Sequence, residues 1–301
     1  MRTSLLLLTL AATAALVPGQ STFSPPARQW NLEELFRRNI GSFQTMNDPF
    51  PPHHVIGNIY YVGTQSLASF LITTPEGHIL INSDYERTVP VIRKSVEDLG
   101  FKFSDIKIVL GSHAHGDHME GDALVKELTG AKVMAMAEDV PALRKMTPGD
   151  KPHPIDRELH DRDTVELGGT VLTALLTPGH TLGCTTWTME VEEGGKKHLV
   201  AIVGSVGVNP GFQLVNNADN PTIVEQYQQA FRVLRSLPVD VPLASHPAMY
   251  NLAAKYPHIA AYEAGKEPNP FIDPEGYVEE LNVVEDVFRR TLAEQQTAAG
   301  Q

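Results

Sequence analysis

The chain has 301 residues, enough for one large domain or two small ones, and 42% of them are apolar, which allows a substantial core. A formal charge of −12 without a basic run argues against nucleic acid or an anionic membrane surface as a partner. Cys184 is the only cysteine, so no disulfide can form within one chain.

The start of the chain has the pattern of a signal peptide over residues 1–19. An almost wholly apolar run covers 5–17, and the small residues Val17 and Gly19 stand at positions −3 and −1 of the expected cleavage site. A run of about 13 apolar residues is too short to anchor the protein across a bilayer. We therefore predict a periplasmic or secreted protein that begins at Gln20 and has no membrane contact after cleavage.

The first half of the mature chain alternates between strand-like and helical runs. Asn31 is placed to cap a helix, and three prolines within 49–52 then break the chain. The continuous apolar run over 106–110 is typical of a strand covered on both faces. The pattern predicts helices over 32–40, 89–99 and 122–128, a short helix or turn over 142–146, and strands over 59–62, 70–74, 78–82, 106–110 and 132–137.

The second half begins with a polar, proline-rich stretch over 147–162, which predicts a surface loop. The two halves are comparable, and two packed sheets with helices outside would accommodate both. No linker separates them, so we predict one domain over 20–301, working as a monomer. The pattern predicts strands over 164–167, 170–176, 185–191, 199–203 and 241–244, and helices over 221–237 and 275–295.

The sequence H-A-H-G-D-H at 113–118 carries a strong metal-binding signal. It places three imidazoles and a carboxylate, the usual protein ligands of zinc, within six residues. Because the motif follows a buried strand, we expect it in a loop at the strand's carboxyl end. Gly116 would let the backbone turn so that the side chains face one centre, whereas a helix would splay them around its axis. The alternative is a surface His cluster, since the chain contains 12 His.

Two further histidines directly follow predicted strands. His180 comes after 170–176 and His246 after 241–244, and sites are commonly built in such loops. Taken singly, each is more often a structural or surface residue. The remaining histidines, which we expect to be surface or packing residues, are His53, His54, His78, His153, His160, His198 and His258.

The H-A-H-G-D-H motif, followed by T-P-G-H-T at 177–181 and S-H-P at 245–247, resembles the metallo-β-lactamase superfamily, and in detail its third subclass. The resemblance extends over about 58–277. It implies an α/β fold, a four-layer αββα sandwich, with two zinc ions in a shallow groove. The ligands it implies are His113, His115 and His180 for the first zinc, and Asp117, His118 and His246 for the second.

The residue after the 199–203 strand departs from much of the superfamily. Many relatives have an Asp there that bridges both metals, whereas this chain has Ser205, as the third subclass does. A second metal without that bridge would be open to a substrate carboxylate and the departing lactam nitrogen. The alternative is that Ser205 is only a turn residue and that the alignment slips by one or two positions.

The resemblance implies hydrolysis of the β-lactam ring of penicillins, cephalosporins and carbapenems by a metal-bound hydroxide, which would confer antibiotic resistance. Asp117 would both ligate the second zinc and accept a hydrogen bond from the hydroxide. Ser205 and Asn209 would contact the substrate carboxylate. Asp84 would orient the ligands, or else serve as a capping or turn residue. Cys184 lies four residues after His180, and we expect it to be a packing residue rather than a ligand.

Two other interpretations remain open. A lactonase or thioesterase of the same fold would share the His motif, although the missing bridging Asp and the export signal argue against one. A non-catalytic metal-binding relative is the other, and the intact set of six ligands argues against it.

Overall fold

The computed structural model describes residues 23–300. The predicted signal peptide over 1–19 and its cleavage site lie outside these residues and stay predictions. Within 23–300, no helix has both the length and the apolar character needed to cross a membrane.

The first sheet contains seven strands, which lie across the sheet in the same order as along the chain. They are β1 (His53–Ile56), β2 (Ile59–Tyr61), β3 (Phe70–Thr74), β4 (Gly77–Ile81), β5 (Ile106–Leu110), β6 (Lys132–Met136) and β7 (Arg157–Leu159). Neighbours are antiparallel from β1 to β4 and parallel from β4 to β7. The α-helices of this half are α1 (Leu32–Ile40), α2 (Val89–Asp98), α3 (Gly116–Met119), α4 (Asp122–Thr129) and α5 (Val140–Leu143).

The second sheet contains five strands: β8 (Thr164–Leu167), β9 (Thr170–Leu176), β10 (Thr185–Glu193), β11 (Lys196–Val203) and β12 (Val241–Ala244). They are ordered β12-β11-β10-β9-β8, and only the β11–β12 pair is parallel. The α-helices of this half are α6 (Ile223–Arg235), α7 (Leu252–Lys255), α8 (Ile259–Glu263) and α9 (Pro274–Ala298).

The two sheets pack face to face, because side chains alternate between the two faces of each strand. In β4, Ile79 and Ile81 join the core between the sheets together with Trp187, which is 1% exposed. Leu80 points to the other face and packs with Ile92 of α2. Helices α6 and α9 cover the outer face of the second sheet. The predicted four-layer αββα sandwich is therefore confirmed.

Two short edge strands were not predicted. β1 follows three prolines, and β7 lies within the stretch expected to be a loop. Each has only three or four residues and a partner on one side alone, so neither carries a long alternating pattern. Strands β10 and β11 extend beyond the predicted ranges, because their polar ends pair across a Gly194-Gly195 turn.

Candidate metal centre

The H-A-H-G-D-H motif begins where the two sheets meet. The Ser112 amide donates a hydrogen bond to Asn82 Oδ1 at the end of β4 (2.9 Å), and the Ser112 carbonyl accepts one from the Thr185 amide of β10 (2.8 Å). The indole N–H of Trp187 donates to the Gly111 carbonyl at 3.0 Å. The backbone before the first ligand is thus fixed to both sheets.

The expectation that the whole motif lies in a loop was wrong for its second part. His113 and His115 precede any helix, but Gly116–Met119 forms one helical turn, α3. The amides of His118 and Met119 donate to the His115 carbonyl, at 3.1 Å each. The turn nevertheless leaves Asp117 Oδ2 3.4 Å from His118 Nε2, so both side chains still reach the same set of ligands.

The first predicted set of ligands comes together in space. One ligand atom from each of His113, His115 and His180 lies within 4.8 Å of the others. The ring centroids are 4.7 to 4.8 Å apart in all three pairs. Two ligands come from the loop after β5 and the third from the loop after β9, so both sheets contribute.

The second predicted set is equally close. One ligand atom from each of Asp117, His118 and His246 lies within 4.8 Å of the others. Asp117 Oδ2 is 3.4 Å from His118 Nε2 and 3.7 Å from His246 Nε2. The rings of His113 and His118 have centroids 4.3 Å apart, so the two sets are adjacent. This geometry suits a pair of neighbouring metal ions.

Hydrogen bonds orient three of the imidazoles. The Nδ1 atom of His180 lies 2.7 Å from the Gly207 carbonyl, and that of His246 lies 2.9 Å from the Ser66 carbonyl. An Nδ1–H that donates to a carbonyl leaves Nε2 with a lone pair for a metal. For His113, Nδ1 is 3.1 Å from the Ser112 hydroxyl.

Several buried ring nitrogens in the described part of the chain have no hydrogen-bond partner, as expected of atoms that bind a metal. His113 Nε2 and both ring nitrogens of His118 are buried with no hydrogen-bond partner among residues 23–300. Buried polar atoms seldom lack a partner, and the place of a bound ion is one established reason when they do. Imidazole nitrogen with one carboxylate is a donor set that zinc accepts.

Burial keeps the imidazoles in the neutral form that binds metal. It lowers the pKa of His118 and of His180 to about 3, and the pKa of His113 well below its usual value. Burial alone would raise the pKa of Asp117, but the charges of His118, His246 and His115 lower it overall. The centre therefore offers neutral nitrogen donors and one ionised carboxylate.

Asp139 is a structural anchor of the centre that the sequence analysis missed. Its Oδ2 accepts from the Ala114 amide (2.8 Å) and the Thr181 hydroxyl (2.9 Å), and its Oδ1 accepts from the Gly183 amide (2.7 Å). One buried carboxylate thus joins the loops that carry His113, His115 and His180. Asp139 follows β6, which is parallel to β5, so both strands end at the same edge of the sheet. Its position after a strand is the signal that could have identified it.

The match to a family model decides the assignment. The model described as the metallo-beta-lactamase superfamily matches residues 62–246, which include all six predicted ligands. The chain belongs to the metallo-β-lactamase superfamily.

Similar solved structures come from the same superfamily. The metallo-beta-lactamase FEZ-1 from Legionella gormanii is 46% identical with a TM-score of 0.78, and the match covers 83% of this chain and 98% of that one. BJP-1, a subclass B3 metallo-beta-lactamase of Bradyrhizobium japonicum, is 35% identical with a TM-score of 0.77, covering 85% and 98%. The class B3 di-zinc enzyme LRA-12 from an Alaskan soil metagenome is 29% identical with a TM-score of 0.75, covering 83% and 97%.

Curated relatives from sequence comparison carry a different name. The hydroxyacylglutathione hydrolase of Hyphomonas neptunium is 40% identical over 78 residues, which is 26% of this chain and 27% of that protein. The one from a Pseudomonas aeruginosa strain is 39% identical over 84 residues, 28% and 27%. The chain therefore spans about a quarter of the length of these relatives. Both comparisons are consistent with a hydrolase of the metallo-β-lactamase superfamily.

Asp84, the residue predicted to orient the ligands, lies fully buried beside the metal centre of this metallo-β-lactamase fold. Its amide donates to the His118 carbonyl at 3.2 Å, and its carbonyl accepts from the Gly121 amide at 2.9 Å. Burial raises the pKa of Asp84 well above its usual value, although the Ser69 hydroxyl opposes the change. The backbone of Asp84 holds the turn that carries His118.

Ser205 and Cys184 lie together next to Gly207, whose carbonyl faces His180. Ser205 Oγ accepts from the Gly207 amide at 3.3 Å, and the Ser205 carbonyl accepts from the Cys184 thiol at 3.1 Å. Cys184 is fully buried and burial raises its pKa, which suits a packing residue. Asn209 is partly buried in the following loop, and its side chain has no hydrogen bond in the part of the chain described.

An aromatic and cationic wall, formed by Phe43, Tyr85 and Arg87, lies beside α3. The guanidinium carbon of Arg87 lies 3.7 Å from the ring centroid of Tyr85 and 5.3 Å from that of Phe43. Phe43 is 75% exposed, although a large apolar side chain normally avoids water. The Tyr85 ring is 3.5 Å from the position that a Cβ would take at Gly116, so the wall borders the ligand motif itself.

Proposed function

We propose that this protein is a subclass B3 metallo-β-lactamase, which uses two zinc ions to hydrolyse the β-lactam ring of penicillins, cephalosporins and carbapenems and so confers antibiotic resistance. The observation that carries the proposal is the likeness to the Legionella gormanii enzyme, which extends over 98% of that chain at 46% identity. The likeness to hydroxyacylglutathione hydrolases covers between about a quarter and two fifths of either chain.

The ligand geometry supports the same proposal. Two separate sets of three donors are present, and within residues 23–300 no further carboxylate belongs to either set. Ser205 stands after β11, where a bridging Asp would be expected in many other hydrolases of this superfamily. A centre without that bridge leaves room for a substrate carboxylate beside the second set.

Residues of the chain then have distinct roles. Bound zinc supplies a Lewis acid that polarises the lactam carbonyl and lowers the pKa of a water molecule. His113, His115 and His180 would hold the first ion, and His118 and His246 would hold the second with Asp117. The Asp117 carboxylate would accept a hydrogen bond from the attacking water and orient it. Ser205 and Asn209 contact the substrate carboxylate. No protein side chain serves as a nucleophile.

The test compares three substrates on one zinc-loaded preparation: a penicillin, a carbapenem and the thioester S-D-lactoylglutathione. We expect turnover of both lactams, loss of that turnover with a chelator, and recovery on adding zinc. In Asp117→Asn, kcat/KM should fall by about 100-fold or more, because the neutral amide is a weaker ligand of the second zinc and a weaker acceptor for the attacking water. Asp161→Asn, which alters an exposed Asp outside both ligand sets, should leave kcat/KM unchanged.

A thioesterase is the second candidate, favoured by the matches to hydroxyacylglutathione hydrolases. Turnover of the thioester without turnover of either lactam would support this candidate and overturn the first. A folded protein that binds two zinc ions and hydrolyses none of the three substrates would contradict both, and would leave a metal-binding role.

We also propose export to the periplasm, on the strength of the signal-peptide pattern over 1–19. Expression in a Gram-negative host should yield periplasmic protein whose N-terminal sequence begins at Gln20. Recovery of the intact chain from the cytoplasm alone would contradict this proposal.

A further inference from the structure

A groove on the surface is lined by α6, α9 and Phe23. Its volume is about 700 Å³, within the range of sites that hold small organic ligands. No ligand of the metal centre lines it. Its apolar lining residues are Phe23, Phe231, Phe288 and Leu292, and its basic ones are Arg232, Arg235 and Arg289.

The groove is positively charged, although the whole chain carries −12. Its three arginines face a single carboxylate, that of Glu285. Glu285 accepts from Arg235 Nε at 2.7 Å and from Arg289 Nη2 at 2.5 Å, so one acidic group is shared by two cations. Arg232 has no ion pair or side-chain hydrogen bond with any residue in 23–300.

Unused hydrogen-bond donors remain in this groove. Arg235 Nη1 is buried without a partner, while Nη2 donates to Asn282 Oδ1 at 2.9 Å. The ring of Phe23 lies 4.5 Å from the guanidinium carbon of Arg289 and 5.6 Å from that of Arg235. An aromatic ring packs on the flat face of a guanidinium group and does not accept hydrogen bonds from the N–H groups at its edge. Those N–H groups still need acceptors.

Helix electrostatics explain only part of this arrangement. Arg232 and Arg235 lie in the last turn of α6, where a positive charge is stabilised by the helix dipole. That effect needs no open groove, and it gives no partner to the buried Arg235 Nη1. An anionic ligand would supply both the missing charge and the missing acceptor.

We propose that this groove binds a small dissolved organic anion, a sulfonate or carboxylate attached to an apolar or aromatic body. The anionic group would lie against Arg232 and Arg235 Nη1, where bidentate contacts with guanidinium are available. The apolar body would pack against the partly exposed side chains of Phe23 and Leu292, above a floor formed by Phe231 and Phe288. The site is independent of the metal centre, so it does not depend on which substrate the enzyme hydrolyses.

The test uses two dyes that differ in one charged group: 1-anilinonaphthalene-8-sulfonate and the uncharged N-phenyl-1-naphthylamine. Fluorescence titration of the full chain should show saturable binding of one sulfonate dye per chain. The uncharged dye should bind about tenfold more weakly or worse, because charge-assisted hydrogen bonds are lost. Equal affinity for both dyes, or binding at several equivalent sites, would overturn the proposal.

Variants locate the site. The double variant Arg232→Gln/Arg289→Gln should weaken binding of the sulfonate dye by about tenfold. The matched control, Arg37→Gln/Arg93→Gln, also removes two exposed arginines, each of which pairs with a Glu four residues away. It should leave the dye affinity unchanged, and an equal loss in both double variants would place the dye elsewhere. Arg232→Gln alone breaks no ion pair, so it should fold normally and still weaken binding by about threefold or more.

Discussion

At the residue scale, the metal centre depends on one carboxylate that binds no metal. Asp139 accepts three hydrogen bonds, from Ala114, Thr181 and Gly183, and it is 3% exposed. Burial raises its pKa, although these three donors oppose the change. Because it holds two loops that arrive from different sheets, its role is to keep the first set of ligands together.

Asp139→Asn should therefore lower both stability and metal affinity. The amide keeps only one acceptor oxygen, so a backbone N–H is left unpaired, at a cost of about 2 kcal/mol in the free energy of unfolding. Urea unfolding and zinc competition titrations measure the two effects. The control is Asp161→Asn, since Asp161 also accepts from a backbone amide, that of Leu176, but on the surface. Zinc affinity unchanged in Asp139→Asn would contradict the anchoring role.

His53 gives a prediction about acid stability. Its ring is stacked between Tyr61 and Phe271, with centroids at 5.2 and 5.8 Å, and its Nδ1 is 2.9 Å from the Pro51 carbonyl. Burial lowers its pKa to about 4, although the Pro51 carbonyl opposes this, and His54 adds a small decrease. The other rings around it, those of Phe50 and Tyr256, carry no charge that could stabilise a proton at acidic pH.

The sign of the effect follows from proton binding. The unfolded chain binds a proton at His53 below about pH 6.5, whereas the folded protein does so only near pH 4. Stability is therefore lost as the pH falls between these values, by about 3 kcal/mol from this residue. His53→Phe should lose less stability than the wild type between pH 6.5 and 4.5 in urea unfolding. Parallel curves for the two proteins would rule out this contribution.

At the scale of elements, α6 supports the centre from behind. The Tyr227 hydroxyl donates to the Gly207 carbonyl at 3.1 Å, and the same carbonyl faces Nδ1 of His180. A Cβ at Gly179 would lie 2.7 Å from the Tyr227 ring, so only glycine lets the loop of His180 lie this close to the helix.

Tyr227→Phe should weaken metal binding while the ring packing is kept. Loss of a partner that orients a ligand typically lowers metal affinity by about tenfold. Tyr277→Phe is the matched control, because Tyr277 is also buried and donates to a backbone carbonyl, that of Leu234, at 2.8 Å. Zinc affinity should fall in Tyr227→Phe alone. A similar fall in both variants would indicate a general loss of stability instead.

A feature could be predicted from the sequence when the residues that form it lie close together along the chain. Helix α1 was predictable because its capping box is local, with Asn31 and Glu34 exchanging hydrogen bonds. The metal-binding motif could be found because it places four potential ligands within six residues soon after a strand, whereas the division into two sets of ligands came from the resemblance to the metallo-β-lactamase superfamily. The carbonyls of Ser66 and Gly207 have no sequence signature, since every residue has one, and their contacts with His246 and His180 span 180 and 27 residues.

At the scale of the whole molecule, the centre joins the two halves of the sandwich. His113, His115, Asp117 and His118 follow the first sheet, whereas His180 and His246 follow strands of the second. Bound metal would therefore cross-link both sheets, as Ser112 and Thr185 already do through their backbones. Within residues 23–300, His113 Nε2 and both ring nitrogens of His118 have no hydrogen-bond partner, and bound metal would give these rings a ligand contact.

Metal binding should thus stabilise the entire fold rather than one loop. Saturating zinc at about 1,000 times its Kd should add about 4 kcal/mol to the free energy of unfolding for each site. Calorimetry with zinc and with a chelator measures this as a shift of a single transition. In His246→Ala the first set of ligands stays intact, so we expect about half of the stabilisation to remain. Two transitions, with only one of them responding to zinc, would show instead that the halves unfold separately and that metal cross-links neither to the other.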